Sequence, residues 1–76
     1  MKKLVEALAK ALVDEPDAVH VEEVMGDNTC VLKLAVAKND IGKVIGKKGS
    51  NANAIRTLLD AASGKQNQRC VLEIIE

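Results

Sequence analysis

The sequence contains no phenylalanine, tyrosine or tryptophan. Any function built on an aromatic platform is thereby excluded, including recognition of planar ligands by ring stacking. Histidine occurs once, at His20, and cysteine twice, at Cys30 and Cys70. One imidazole and two widely separated thiols without C-x-x-C spacing do not supply the ligands of a Cys/His zinc site. Each cysteine falls in an alternating apolar run, where a free thiol behaves as a small buried hydrophobe. Nothing points to a secreted disulfide scaffold. No stretch approaches the roughly 20 apolar residues of a membrane span. The opening Met1-Lys2-Lys3-Leu4-Val5 imitates the start of a signal peptide, but Glu6 and Lys10 interrupt it. A soluble, cytoplasmic protein with no membrane partner is the expectation.

Charge of one sign is also lacking overall, since eleven basic residues balance eleven acidic ones. The balance is uneven along the chain. Residues 1–37 hold four Lys/Arg against seven Asp/Glu, whereas residues 38–69 hold seven against two. A neutral chain with one basic third is the more useful description.

What is present is globular: 76 residues, 47% apolar and 29% charged, with a single proline. At this length roughly 60% of the unfolded surface can be buried, so the core is thin. Residues 3–14 read as an amphipathic helix with Leu4, Leu8, Ala11 and Leu12 on one face, widened by Val5. The mixed charges opposite, Lys3, Glu6, Lys10 and Asp14, favour core packing over a membrane surface. Pro16 stops this helix, because the residue before a proline avoids helical angles. Residues 19–25 and 29–37 read as two strands of a hairpin around Gly26-Asp27-Asn28, with Cys30, Leu32, Leu34 and Val36 on one face of the second. Asn39-Asp40 is a helix cap for residues 41–45. A second helix over 50–62 has Ile55, Leu58, Leu59 and Ala62 on its buried face and Asn53, Arg56, Thr57 and Asp60 outward. Gly64 is a C-terminal stop, Lys65 to Arg69 a polar loop, and Cys70 to Ile75 a last apolar strand. The expectation is one α+β domain over residues 1–76, ordered α-β-β-α-α-β.

The segment with chemistry in it is Ile41 to Ile55, I-G-K-V-I-G-K-K-G-S-N-A-N-A-I. Gly46 and Gly49 punctuate two helical segments and display Lys47 and Lys48 between them. Absent side chains at the two glycines permit unusual dihedrals and close approach of backbone to a ligand. The following helix begins with free N–H groups at the same point, which suits an anion. A phosphate is the natural guest. The loop is not an NTP-binding one: counted from Gly42, the second glycine of G-x-x-x-x-G-K-[ST] should fall at residue 47, which is Lys.

The arrangement resembles the KH domain, whose core pattern V-I-G-x-x-G-x-x-I is matched over its first six positions by Val44-Ile45-Gly46-Lys47-Lys48-Gly49. The element order is similar to the prokaryotic type II form, in which an extra helix and strand precede a β-α-α-β unit. Length, layout and the I-G-K-V-I-G-K segment are most similar to the small bacterial single-KH proteins of the KhpA type. The pattern's third apolar position is Ala52 here, which makes that part of the groove wall shallow. Ser50 stands where a basic residue often follows the loop. The resemblance implies a three-stranded mixed sheet packed against three helices.

It also implies a non-catalytic protein that clamps about four nucleotides of single-stranded RNA, with single-stranded DNA the alternative. An RNA chaperone or post-transcriptional regulator is the role expected. Bases are expected in a groove between helix 41–45 and a strand edge near residues 31–38. The RNA-binding residues expected are Ile41, Gly42, Lys43, Ile45, Gly46, Lys47, Lys48, Gly49, Ser50 and Arg56. Ile55 is read as a packing residue, and Asn51 and Asn53 as either amide hydrogen-bonders or solvated surface. Without aromatics, bases must be held by apolar contact and hydrogen bonds. No catalytic residue, metal, cofactor or small-molecule substrate is called for: the sequence has no nucleophile with a base and no motif of paired acids. The competing reading is a KH-like protein-interaction module, a homodimer or a heterodimer with a larger KH-containing protein.

Overall fold

A computed structural model describes residues 1–64 and 69–75 of the chain. Three α-helices, α1 (Lys2–Leu12), α2 (Ile41–Ile45) and α3 (Ser50–Gly64), accompany three strands, β1 (His20–Gly26), β2 (Thr29–Ala35) and β3 (Arg69–Ile75). Short 3-10 turns occupy Pro16–Ala18, Lys38–Asp40 and Lys47–Gly49. The strand order is β1-β2-β3, with β1 antiparallel and β3 parallel to β2. The hairpin occupies one side of β2, and the helical crossover from β2 returns β3 to the other, the short route for a parallel neighbour. The α+β reading with a mixed sheet and three helices is therefore correct. The element bounds agree with the sequence within about two residues, the usual uncertainty of helix and strand ends.

The core lies between the sheet and the helices. Cys30, Leu32 and Leu34 of β2 are buried, as the alternation requires, together with Val21, Cys70 and Leu72 from the flanking strands. Val5 and Ala9 of α1, Val44 of α2, and Ile55 and Leu59 of α3 complete it. Both cysteines are free and buried, as expected.

Two helix faces differ from the sequence reading. On α1 the buried pair is Val5 and Ala9; Leu8 and Leu12 are half-buried, whereas Ala11 is exposed and Leu4 remains 37% exposed. The small side chain of Ala9 sits where α1 meets the core, and Leu8 and Leu12 line a hollow shared with α3. On α3 the buried stripe is Ala52, Ile55, Leu59 and Ser63, in steps of three and four. Leu58, expected inside, is 47% exposed. It lies about 100° round the helix from Leu59, on the flank that faces α1.

A further difference concerns Asp40. It precedes α2 but makes no side-chain capping bond to that helix. Its fully buried carboxylate accepts instead from the Glu15 N–H at 3.0 Å, tying the turn after α1 to the start of α2. Leu12 ends α1 ahead of Pro16, which opens a 3-10 turn of its own.

Candidate nucleic-acid interface

The chain between α2 and α3 is built by its glycines. Gly46 closes α2, its N–H donating to the Gly42 carbonyl at 2.8 Å, and then turns out of the helix at φ 77°, ψ 173°. Gly49 N–H donates back to the Gly46 carbonyl at 3.1 Å and adopts φ 78°. Both angles lie in the left-handed region that only glycine adopts without strain. Lys48, at φ 57°, is held there as well and costs about 1–2 kcal/mol. Asn51 braces the loop from α3, its amide donating to the Lys43 carbonyl at 2.8 Å. Of the two asparagines weighed from sequence, Asn51 is thus a hydrogen-bonder. Asn53 is exposed, and its backbone carbonyl accepts from the Thr57 hydroxyl at 2.9 Å. Lys47 and Lys48 are exposed and have no ion pair among the described residues.

Beside the loop runs a groove of about 410 Å³. Its floor and one wall are Ile45, Gly49, Ala52 and Arg56; the other wall is Leu72, Glu73 and Ile74 of β3. The strand wall is therefore β3 and not the 31–38 region expected from sequence. Hairpin pairing consumes one edge of β2 and parallel pairing the other, so β2 has no free edge to offer. That β3 must be an edge strand, beside the helices of the crossover, was legible in principle from the β-α-α-β order. The end of the 31–38 region does contribute to a neighbouring hollow of about 600 Å³, where Ala35, Val36 and Lys38 meet Ile41 and Ile75.

The structure thus gathers Ile45, Gly49 and Arg56 at one groove, with Gly46, Lys47 and Lys48 in the turn that ends at Gly49 and Ile41 lining a separate hollow. Ile45 is half-buried, consistent with a wall residue, while Val44 beside it is wholly buried. Ile55 is buried, as a packing residue should be. Gly42 is exposed, and a Cβ placed on it would meet nothing within 4 Å. Ser50 is exposed at the head of α3. Lys43 has a different setting. Its ammonium is ion-paired with Asp14 and stands 3.5 Å from Asp40, and these carboxylates, Asp14 foremost, raise its pKa. The lysine ties α2 to the turn after α1. The basic loop segment 65–68 lies outside the described residues.

A family profile described as "KhpA/KhpB, KH domain" matches residues 2–74. The chain belongs to the KhpA/KhpB KH-domain family. Its α-β-β-α-α-β order with a mixed sheet is the type II KH fold, and the Gly46–Gly49 turn is the family's G-x-x-G loop. The KhpA/KhpB assignment has support from individual relatives. A protein of Clostridium perfringens named "RNA-binding protein KhpA" is 55% identical over 99% of this chain and 100% of the relative. The Clostridium acetobutylicum protein of the same name is 56% identical with the same coverage. The Chlamydia trachomatis protein so named is 49% identical over 100% of this chain and 97% of its own. A search of solved structures gives no significant match.

Proposed function

We propose that this chain is a non-catalytic RNA-binding protein that clamps about four nucleotides of single-stranded RNA at the Gly46–Gly49 loop. The observation that carries this reading is the groove itself, open to solvent, lined by the last residue of a turn that displays two exposed lysines and with a free strand edge along one side. The backbone of the RNA passes the loop, where missing Cβ atoms at Gly46 and Gly49 allow phosphates near the chain and Lys47 and Lys48 supply charge. The unspent N–H groups of the first turn of α3, from Ser50 on, point the same way. Bases lie against Ile45, Ala52, Leu72 and Ile74, and their edges meet the unpaired N–H and C=O groups of β3. Ile41 extends the apolar wall, Gly42 leaves room beside it, and Lys43 acts by fixing α2 in place. Arg56 supplies a second charge deeper in the groove.

Few phosphate contacts and no ring stacking give modest, sequence-tolerant binding, each phosphate adding about −0.7 to the salt slope on a single strand. That behaviour suits an RNA chaperone or post-transcriptional regulator working in the cytoplasm, with residues 1–76 acting as one KH unit. Replacing Lys47 and Lys48 with Asp tests the reading. The fold should survive, since both side chains are exposed and Asp tolerates the left-handed angle of Lys48. Anisotropy with a short single-stranded RNA should then register no binding at moderate salt. A folded double variant that binds like its parent would remove the loop from the mechanism.

One observation favours a second property, self-association. Leu8, Ala11 and Leu12 of α1 and Ala54, Ile55 and Leu58 of α3 line an apolar hollow of about 190 Å³. Exposed Leu4 and Leu58 lie on these same helices, so one face offers both hollow and protruding leucines, the self-complementary arrangement of a two-fold contact. A second copy of the chain is the occupant proposed. Sedimentation with and without a larger KH-containing protein distinguishes homodimer from heterodimer.

A further inference from the structure

The groove does not end at Arg56. A second hollow of about 160 Å³ adjoins it, sharing Arg56 and Leu72 and adding Asp60 of α3 with Arg69, Cys70 and Val71 of β3. The two elements run in opposite directions here, so the seam continues from the loop toward the start of β3. Along α3, Ala52, Arg56 and Asp60 follow in steps of four and share one face. Ala52 and Asp60 are about 12 Å apart along the helix axis, while β3 from Arg69 to Ile75 supplies about 20 Å of wall. Arg56 and Arg69 are both exposed, and neither has an ion pair among the described residues. Two arginines without an ion pair among the described residues therefore line one hollow, well beyond the lysines of the loop.

We propose that the Arg56–Arg69 hollow is a further phosphate subsite, which takes a nucleotide beyond the four held at the loop. The inference rests on the RNA-binding reading above and adds to it a longer footprint. Arg69 and Arg56 approach the phosphate from β3 and α3, and a guanidinium presents a planar fork matched to phosphate oxygens. The Asp60 carboxylate lies in the same hollow and repels an anion, which confines the phosphate to the arginine side and leaves Asp60 facing base amino groups.

Arg69→Gln is the informative variant. The Arg69 backbone N–H donates to the Asn28 carbonyl at 2.9 Å, a bond that glutamine keeps, and the side chain is exposed. The probes are mixed-sequence single-stranded RNAs of four and eight nucleotides, read by anisotropy across a salt series. The parent should show a steeper slope for the octamer than for the tetramer. Multiple binding registers on the longer strand raise its apparent affinity but leave this slope untouched. Arg69→Gln should flatten the octamer slope by about 0.7 and weaken octamer binding several-fold, with tetramer binding and melting temperature unchanged. Equal slopes for the two RNAs, or an Arg69→Gln slope identical to the parent's, would overturn the subsite while leaving the loop clamp intact. Failure of the parent to bind either RNA would overturn both readings together.

Discussion

Gly46 rests directly against Asn51. A Cβ on Gly46 would stand 2.7 Å from Asn51 Cγ and 2.8 Å from its backbone nitrogen. The same asparagine holds the Lys43 carbonyl, so one side chain both braces the end of α2 and fills the space a side chain at residue 46 would need. Gly46→Ala should destabilise the protein by more than the 1–2 kcal/mol of a left-handed alanine, because the clash adds to the dihedral cost. Asn51→Ala should not rescue it, since the backbone nitrogen remains in the way. Urea unfolding of the single and double variants checks both statements.

Gly42 makes the opposite case. A methyl group there meets nothing, and alanine is the better helix former by about 0.5–1 kcal/mol. Gly42→Ala should therefore melt no lower than the parent. If RNA passes close to α2, the same variant should bind it more weakly, a separation of stability from affinity that melting and anisotropy together detect.

Asp40 links stability to pH. Burial works to raise its pKa, but bonds from the Glu15 and Asp14 N–H groups and the Lys43 ammonium outweigh it and hold the carboxyl below the usual range. The folded state thus favours the ionised form more than the unfolded chain does. Its stabilising contribution is present above the ordinary Asp range and is lost as pH falls through the depressed value. Lys43 shifts upward, so its contribution persists through neutral pH and fades only in strong alkali. Melting temperature should fall on acidification from about pH 5 toward pH 2, and Asp40→Asn should lower it at neutral pH while flattening that acid limb.

Cys30 and Cys70 are register partners on adjacent parallel strands, both turned inward. Burial above all, then Cys70 and the Glu23 carboxylate, push the Cys30 thiol up to about 12. At neutral pH it carries no appreciable thiolate and should resist alkylation in the native state, reacting after denaturation. Because the folded protein keeps this proton longer than the unfolded one, stability should fall as pH climbs past about 9. Cys30→Ala should remove part of that alkaline loss. Mass-spectrometric labelling under native conditions and melting from pH 8 to 10.5 measure the two effects.

The element order, the bounds of α2 and the inward face of β2 were all legible, because alternation, glycine placement and the proline are local signals. So was the loop, whose lysines and glycines are fixed by four consecutive residues. What local pattern did not carry was partnership. Asp40 precedes a helix and reads as its cap, yet it serves an N–H 25 residues earlier in the chain. Lys43 reads as a basic residue near the loop, and its charge is taken up by Asp14 and Asp40. The groove's strand wall required knowing which outer strand of the sheet lies beside α3, a property of topology rather than of any one strand.

Leu58 and Leu59 show the same limit on one helix, and they give the sharpest test of it. Both are apolar neighbours that a 3.6-residue period admits to a generous buried face, but Leu59 is fully buried against the sheet and Leu58 is 47% exposed beside the α1–α3 hollow. Leu59→Ala removes core volume that nothing can refill and should cost about 2–5 kcal/mol, a large share of the stability of so small a domain. Leu58→Ala removes a side chain from a surface flank and should change the stability of dilute protein by about 0.5 kcal/mol or less. Its effect should appear instead with concentration. If the α1–α3 face joins two copies, the parent's melting temperature rises as protein concentration rises, by mass action, and Leu58→Asp suppresses that rise without lowering the dilute value. Melting both variants across a hundredfold concentration range separates the roles. A concentration-independent parent would confine Leu58 to the monomer surface, and a large loss on Leu58→Ala in dilute solution would return it to the core.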